Sequence, residues 1–184
     1  IHTITNQQVQ IVRIVFLLPF RFFFGKGTIM ENLLTSQLKW GLVIIPDPNN
    51  LPGKSISNII HLILDSINFK FAIVDDLIGA KISDLVEREN TIMKINDLLE
   101  VACDVVQFEW GDFFLFKEYP NQWNNSTLLG YPEIIIQTDT TVRAVDNGYI
   151  YVYTPYMEII EMIKKNYPIE SIKIDSLWNL DYPY

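Results

Sequence analysis

Apolar residues along the chain follow strand and helix periods in turn. Residues 38–45 form a compact apolar run that ends at Pro46, which predicts a strand. Apolar positions within residues 56–67 then recur at helical spacing. Ser55 or Ser57 can cap this helix, because a serine hydroxyl accepts a hydrogen bond from a free N–H of the first turn.

The next segment predicts a short strand and a long helix. Residues 70–74 form the strand, and Asp75-Asp76 closes it. Ser83 caps the helix, whose apolar stripe runs from residue 85 to about residue 102 and faces away from a charged side.

After residue 103 the apolar period changes to that of strands. Residues 105–118 are rich in β-branched and aromatic residues, and Gly111-Asp112 in their middle indicates either a tight hairpin turn or a bulge in one long strand. Residues 119–132 are a polar loop. Residues 133–138 predict a further strand.

The C-terminal part contains the clearest hairpin in the chain. Residues 141–145 and 149–153 flank a turn at residues 146–148, and an Asn-Gly pair can supply the positive φ angles that such turns need. Thr154-Pro155 predicts a helix start, with threonine as the cap and proline at the first helical position. Residues 171–180 predict a final strand.

The predicted order is β-α-β-α-β-β-β-β-α-β. Helices alternate with strands early in the chain, and a series of antiparallel strands follows. This order indicates an α+β domain with a mixed or mainly antiparallel sheet of five to seven strands, on which about three helices pack.

Charge divides the chain at Met30. Residues 1–29 hold three basic side chains and no acidic one, whereas the remaining residues hold 11 basic and all 22 acidic side chains. We therefore predict a basic, apolar N-terminal extension, residues 1–29, and a single acidic α+β domain, residues 30–184.

The N-terminal extension has three interpretations. Residues 9–24 are a strand or short buried helix of the main domain, an anchor at a membrane surface, or part of an upstream extension before a natural start at Met30. The uncharged stretch between Arg13 and Arg21 is far shorter than the ~20 residues that span a bilayer as a helix. Bulky phenylalanines follow it where a signal peptide would carry small residues.

The sequence lacks the usual catalytic and cofactor motifs. It contains no phosphate-binding loop, no dinucleotide fingerprint and no G-x-S-x-G elbow. One cysteine and two histidines exclude the usual structural zinc ligand sets. We predict no cofactor and no catalytic residue.

Two groups of residues are candidates for a site. Adjacent aspartates after a strand, helped by a third, could hold Mg²⁺ or Ca²⁺, and this alternative acidic cluster is Asp47, Asp75 and Asp76. Aromatic side chains beside carboxylates make good contact residues against a basic protein, and this group is Trp110, Asp112, Tyr119, Trp123 and Asp139.

The formal net charge of −8 argues against nucleic acid, because binding phosphates needs a basic stripe. We therefore expect a small acidic protein-binding module, of inhibitor or immunity type, that acts on a basic protein partner in the cytoplasm. The alternatives are a carboxylate- or metal-dependent enzyme that uses Asp75 and Asp76, and a peripheral membrane protein anchored by residues 9–24. A homo-oligomer is compatible with all three.

Overall fold

A computed structural model describes residues 38–183. The predictions for residues 1–29, including the anchor at residues 9–24, lie outside the described residues. Across residues 38–183, no helix has the length and apolar character that crossing a membrane requires.

Within residues 38–183, seven strands form one sheet in the order β3-β2-β4-β5-β6-β1-β7, and all neighbouring strands are antiparallel. The first described strand, β1, is thereby inserted between the last two, β6 and β7. The sheet confirms the predicted α+β class. The strands are β1 Lys39–Pro46, β2 Phe71–Ala80, β3 Met93–Lys94, β4 Gln107–Phe116, β5 Thr140–Val145, β6 Tyr149–Thr154 and β7 Ser171–Ser176.

Three of the five helices in residues 38–183 form the main core with one face of the sheet. The helices are α1 Gly53–Ser66, α2 Ser83–Val86, α3 Ile95–Cys103, α4 Tyr131–Ile135 and α5 Met157–Asn166. Helix α1 contacts both α3 and α5. Their isoleucine and leucine side chains bury together with alternate residues of β4 and β6, such as Phe113 and Val152.

The other face of the sheet is covered by chain segments and short helices. Tyr153 and Trp40 bury there with Tyr131 of α4 and with the C-terminal turn, Leu177–Asn179. Phe114 and its neighbours bury nearby under Trp123. Because both faces are covered, all six residues of β5 are buried.

Two predicted elements are wrong near β2. The strand does not close at Asp75-Asp76 but continues to Ala80, with a register shift against β4 after Asp75. The predicted helix from Ser83 is two helices, α2 and α3, with strand β3 between them. Asn90 adopts a positive φ of 58° and its N–H donates to the carbonyl of Val74, which ends the first helical stretch.

The predicted strand at residues 133–138 is also wrong, because this segment begins with the short helix α4. Three consecutive isoleucines suggested a strand. Pro132 in the first turn favours a helix instead, since its fixed φ suits that position. Ile135 is completely buried against the second face of the sheet, so tertiary packing accommodates the β-branched residues.

The hairpin is confirmed, and the positive φ angles are at Asp146 (50°) and Asn147 (57°). Residues 107–116 form one strand, so Gly111-Asp112 is not a hairpin turn.

The predicted helix starts are wrong. Helix α1 begins at Gly53, before both serines, and α5 begins at Met157, while Thr154 ends β6. The last strand ends at Ser176 rather than Leu180.

Candidate functional site

A row of polar side chains crosses the centre of the sheet on the face opposite the three main helices. Asp75 of β2 pairs with Asp112 of β4, Asp112 with Arg143 of β5, and Arg143 with Tyr151 of β6. Residues that pair directly across antiparallel strands point to the same face, so register alone brings these side chains together.

Asp112 and Arg143 form a buried ion pair. The Nε atom of Arg143 lies 3.2 Å from Oδ1 of Asp112, and both side chains are only 5% exposed. The hydroxyl of Tyr131, on α4, donates a hydrogen bond to the same Oδ1 atom. Helix α4 therefore covers the pair and helps to compensate the charge of Asp112.

The guanidinium of Arg143 lies near two aromatic rings and a second carboxylate. Its Cζ atom is 4.3 Å from the ring centre of Tyr131 and 5.2 Å from that of Trp110, which are cation–π distances. Nη2 lies 3.5 Å from Oδ2 of Asp76, whose side chain is 56% exposed. Nε and Nη1 are buried without an aligned hydrogen-bond partner among the described residues.

Burial changes the pKa values of Asp112 and Tyr131. It raises the pKa of Asp112 to about 7, against the opposing effects of the Arg143 guanidinium and the Tyr131 hydroxyl. Burial, and then the Asp112 carboxylate, raise the pKa of Tyr131. An arginine stays charged in proteins, so Arg143 keeps its positive charge as Asp112 titrates. The arrangement can exchange one proton near neutral pH, but with 5% exposure the Asp112 carboxylate is closed to a partner's side chains.

The raised pKa of Asp112 makes the free energy of unfolding depend on pH. Below the ordinary aspartate pKa of 3.8, both folded and unfolded chains hold the proton. Between 3.8 and about 7 only the folded chain holds it, so rising pH favours unfolding in this window. We therefore expect wild type to lose stability relative to Asp112→Asn as pH rises through this window. Urea unfolding at several pH values measures the difference, and an unchanged or opposite difference would show that Asp112 ionises well below pH 7.

The structure places Trp123 and Tyr119 in the loop between β4 and α4. The ring of Trp123 packs 4.8 Å from that of Phe114 and 5.6 Å from that of Phe116, measured between centroids. Tyr119 is 53% exposed and contacts the ring of Phe71 edge-on. Of the five residues predicted to bind a partner, Tyr119 is therefore the one with a mainly exposed side chain.

Asp139 connects three elements. Its Oδ2 atom accepts a hydrogen bond from the N–H of Lys117 at 2.8 Å, and its Oδ1 atom accepts one from the hydroxyl of Tyr156 at 3.0 Å. Burial and then this carboxylate raise the pKa of Tyr156. Asp139 thus fixes the end of β4 and the start of α5 beside the start of β5. Whether Asp139, or any other of the five predicted residues, binds a partner stays a prediction.

The alternative acidic cluster does not come together as a set of three. Oδ1 of Asp75 accepts hydrogen bonds from the N–H of Asp76 and the amide of Asn90. Asp47 follows β1, four strand positions away or about 19 Å at ~4.8 Å per strand. Within residues 38–183, no three His, Cys, Asp or Glu side chains are grouped closely enough to hold a metal ion.

Sequence reasoning missed Arg143 as the centre of the polar row. A signal was present, because Arg143 is the one cationic residue between Lys117 and Lys164 and stands in the apolar run Thr-Val-Arg-Ala-Val. A charged residue in a buried strand needs a partner of opposite charge on a neighbouring strand. Asp112, in an equally apolar strand, was the matching carboxylate.

A second polar feature lies on the outer side of α2 and α3. Four exposed carboxylates and Arg88 line an open groove with Val101. We call this feature the acidic groove; its carboxylates are Asp84, Asp97, Glu100 and Asp104. Within the described part of the chain, none of the four forms an ion pair.

Comparison with known proteins gives no relative. No protein-family model, no curated protein sequence and no solved structure matches the chain.

Proposed function

We propose that this chain is a small acidic protein-binding module that binds and inhibits a basic protein partner. The observation that carries the proposal is the excess of exposed carboxylates without ion pairs. Residues 38–183 hold 21 acidic and 11 basic side chains. Within that range, lysines pair with just three of the carboxylates, on Glu118, Glu161 and Asp181.

The acidic groove is the proposed centre of the contact. Four carboxylates around one guanidinium create a local negative potential, which attracts lysine and arginine side chains and accelerates their association. Val101 supplies apolar surface for the methylene stem of a lysine or arginine that enters the groove. The buried Asp112 is not part of this contact, because its charge is already paired with Arg143.

The inhibitory role is the immunity-type function expected from the sequence. Asp112 and Asp139 are both bonded within the fold, so the proposed inhibition works by covering the partner's surface rather than by chemistry at these two carboxylates. We place it in the cytoplasm, since a single, exposed free cysteine suits a reducing compartment.

The test is capture of the partner from the native source, followed by measurement of affinity with purified proteins. We expect one stoichiometric basic protein, whose activity falls when the chain binds. The variant Asp97→Asn/Glu100→Gln, which removes two charges from the acidic groove and keeps the side-chain shapes, should weaken binding about tenfold or more through slower association. The difference should shrink at high salt, because the Debye length falls to ~3 Å at 1 M.

The matched control is Glu158→Gln/Glu170→Gln, which removes the same charge from exposed positions outside the acidic groove. It should bind within about twofold of wild type, as expected for charges distant from an interface. Equal loss in both variants would show that net charge rather than the groove attracts the partner. Retention of no basic protein would contradict the proposal.

A further inference from the structure

Strand β7 forms one edge of the sheet and has six residues. Within residues 38–183, no strand pairs with its outer side. Ile172 and Ile174 of β7 are 36% and 48% exposed. An open strand of this length presents unpaired N–H and C=O groups that can pair with another strand.

The hydrogen bonds of β1 show which backbone groups of β7 point outward. The N–H of Asp47 donates to Gly148 on the β6 side, while the carbonyl of Ile44 accepts from Glu170 on the β7 side. Because successive residues point their backbone groups to opposite sides, the even-numbered residues of β1 bond to β7. Leu42 is paired with Lys173 and Trp40 with Asp175.

The odd-numbered residues of β7 therefore bond to β1, and Ile172, Ile174 and Ser176 direct their backbone groups outward. The N–H of Ser176 is already bonded to Oδ1 of Asp175. Its carbonyl accepts the first hydrogen bond of the turn Leu177–Asn179. Both backbone groups of Ile172 and Ile174 remain for a new strand, which makes four outward groups on this edge.

We infer that two copies of this chain associate through β7, in antiparallel register about a two-fold axis at Ile174. In this register Ile174 exchanges two hydrogen bonds with Ile174 of the second copy. The result is one continuous sheet through both copies.

Charge complementarity selects this register. It places Lys173 directly opposite Asp175 of the second copy, twice, in the non-hydrogen-bonded positions where side chains are closest. Shifting to the neighbouring allowed register would place Lys173 opposite Lys173, which is unfavourable. Oδ1 of Asp175 serves its own chain, so its Oδ2 is the atom that would accept the lysine. Nζ of Lys173 lies 3.3 Å from Oδ1 of Asp181 in its own chain, so the new pair would replace this exposed one.

The contact is small compared with a standard interface of about 1,600 Å², so the dimer should depend on concentration. Sedimentation velocity of the full chain over a concentration series, up to about 1 mM, measures it. Lys173→Glu places a second carboxylate opposite Asp175 and should weaken the dimer about tenfold. Lys173→Glu/Asp175→Lys exchanges the two charges and should restore it.

Controls separate this contact from other surfaces. Lys165→Glu makes the same charge change at an exposed position of α5 and should leave the dimer unchanged. Amide exchange at Ile174, whose N–H would bond across the contact, should slow as concentration rises. A chain that stays monomeric at the highest concentration would overturn the inference. So would a dimer insensitive to the β7 variants, or concentration-independent protection of this amide, which would mean that another segment of the same chain covers the edge.

Discussion

Arg143→Met should lower the free energy of unfolding by about 3–5 kcal/mol at pH 8, the typical cost of leaving a buried charge without its partner. Methionine is long enough to fill the space between the rings of Trp110 and Tyr131, so lost packing is a small part of the effect. The main cost is that Asp112, 5% exposed, must either keep an uncompensated charge or bind a proton. Because protonation relieves that cost, the loss should be smaller at pH 5. Urea unfolding at both pH values measures it.

A second variant tests whether the loss of stability comes from the unpaired charge or from the lost shape of the arginine. Asp112→Asn/Arg143→Met removes both charges and should recover most of the stability, since replacing a whole buried ion pair by neutral groups is often near neutral. Lys164→Met, which breaks the exposed pair with Glu161, should cost less than about 1 kcal/mol. A double variant as unstable as Arg143→Met would show that the shape of the arginine, rather than its charge, holds this region.

Gly53→Ala should lower the free energy of unfolding by about 3 kcal/mol, the upper part of the usual range for overpacking. Gly53 begins α1 where its N–H donates to the carbonyl of Val105. A Cβ atom there would lie 1.9 Å from the carbonyl oxygen of Ala102 and 2.9 Å from that of Val105. Both are backbone atoms that cannot rotate away, so α1 and α3 must separate. Thermal or urea unfolding measures the loss.

The matched substitution is Gly148→Ala in the hairpin between β5 and β6. The nearest atom to its new Cβ is the carbonyl oxygen of Asp146 at 3.6 Å, and the glycine does not have a positive φ. Alanine should therefore be neutral there, or stabilising by a few tenths of a kcal/mol through lower entropy of the unfolded chain. A loss below about 1 kcal/mol at Gly53 would mean that α1 moves away from α3 at little cost.

The predictions from sequence succeeded where the local pattern and the tertiary structure agree. The β5–β6 hairpin forms as expected because Asp146 and Asn147 tolerate the positive φ angles that its turn requires. The hydrophobic pattern does not change within residues 39–46 or within residues 56–66. The first range lies in a strand and the second in a helix, as predicted.

Failures occurred where tertiary contacts decide between two local states. The apolar stripe from Leu85 to residue 102 is helical in period, and Leu85, Met93 and Leu99 are all buried. The chain nevertheless turns at Asn90, whose N–H bonds to the distant strand β2, so that Met93 pairs with Ala72. Hydrophobic period identifies which residues are buried but not which element buries them.

The contacts of the candidate site could not be predicted from the sequence for the same reason. Sequence alone singled out Asp112 because it stands close to Trp110, but the pair with Arg143 depends on the register between β4 and β5. Tyr131 reaches Asp112 only because α4 packs on the second face of the sheet. Neither the ion pair nor this hydrogen bond can be read from spacing along the chain. The sequence therefore predicted Asp112 as a surface contact residue, whereas its carboxylate is buried.

The position of β1 between β6 and β7 constrains how the chain can fold during synthesis. The apolar residues 39–46 leave the ribosome well before residues 149–176, where Val43 finds its partners, Val152 and Ile172. Until then β1 lacks both of its partner strands, and non-local pairings of this kind form slowly. The β5–β6 hairpin can form by local pairing before β1 joins it. An unpaired apolar strand is prone to aggregation, so β1 is the segment of the nascent chain where a chaperone that binds extended apolar segments would act.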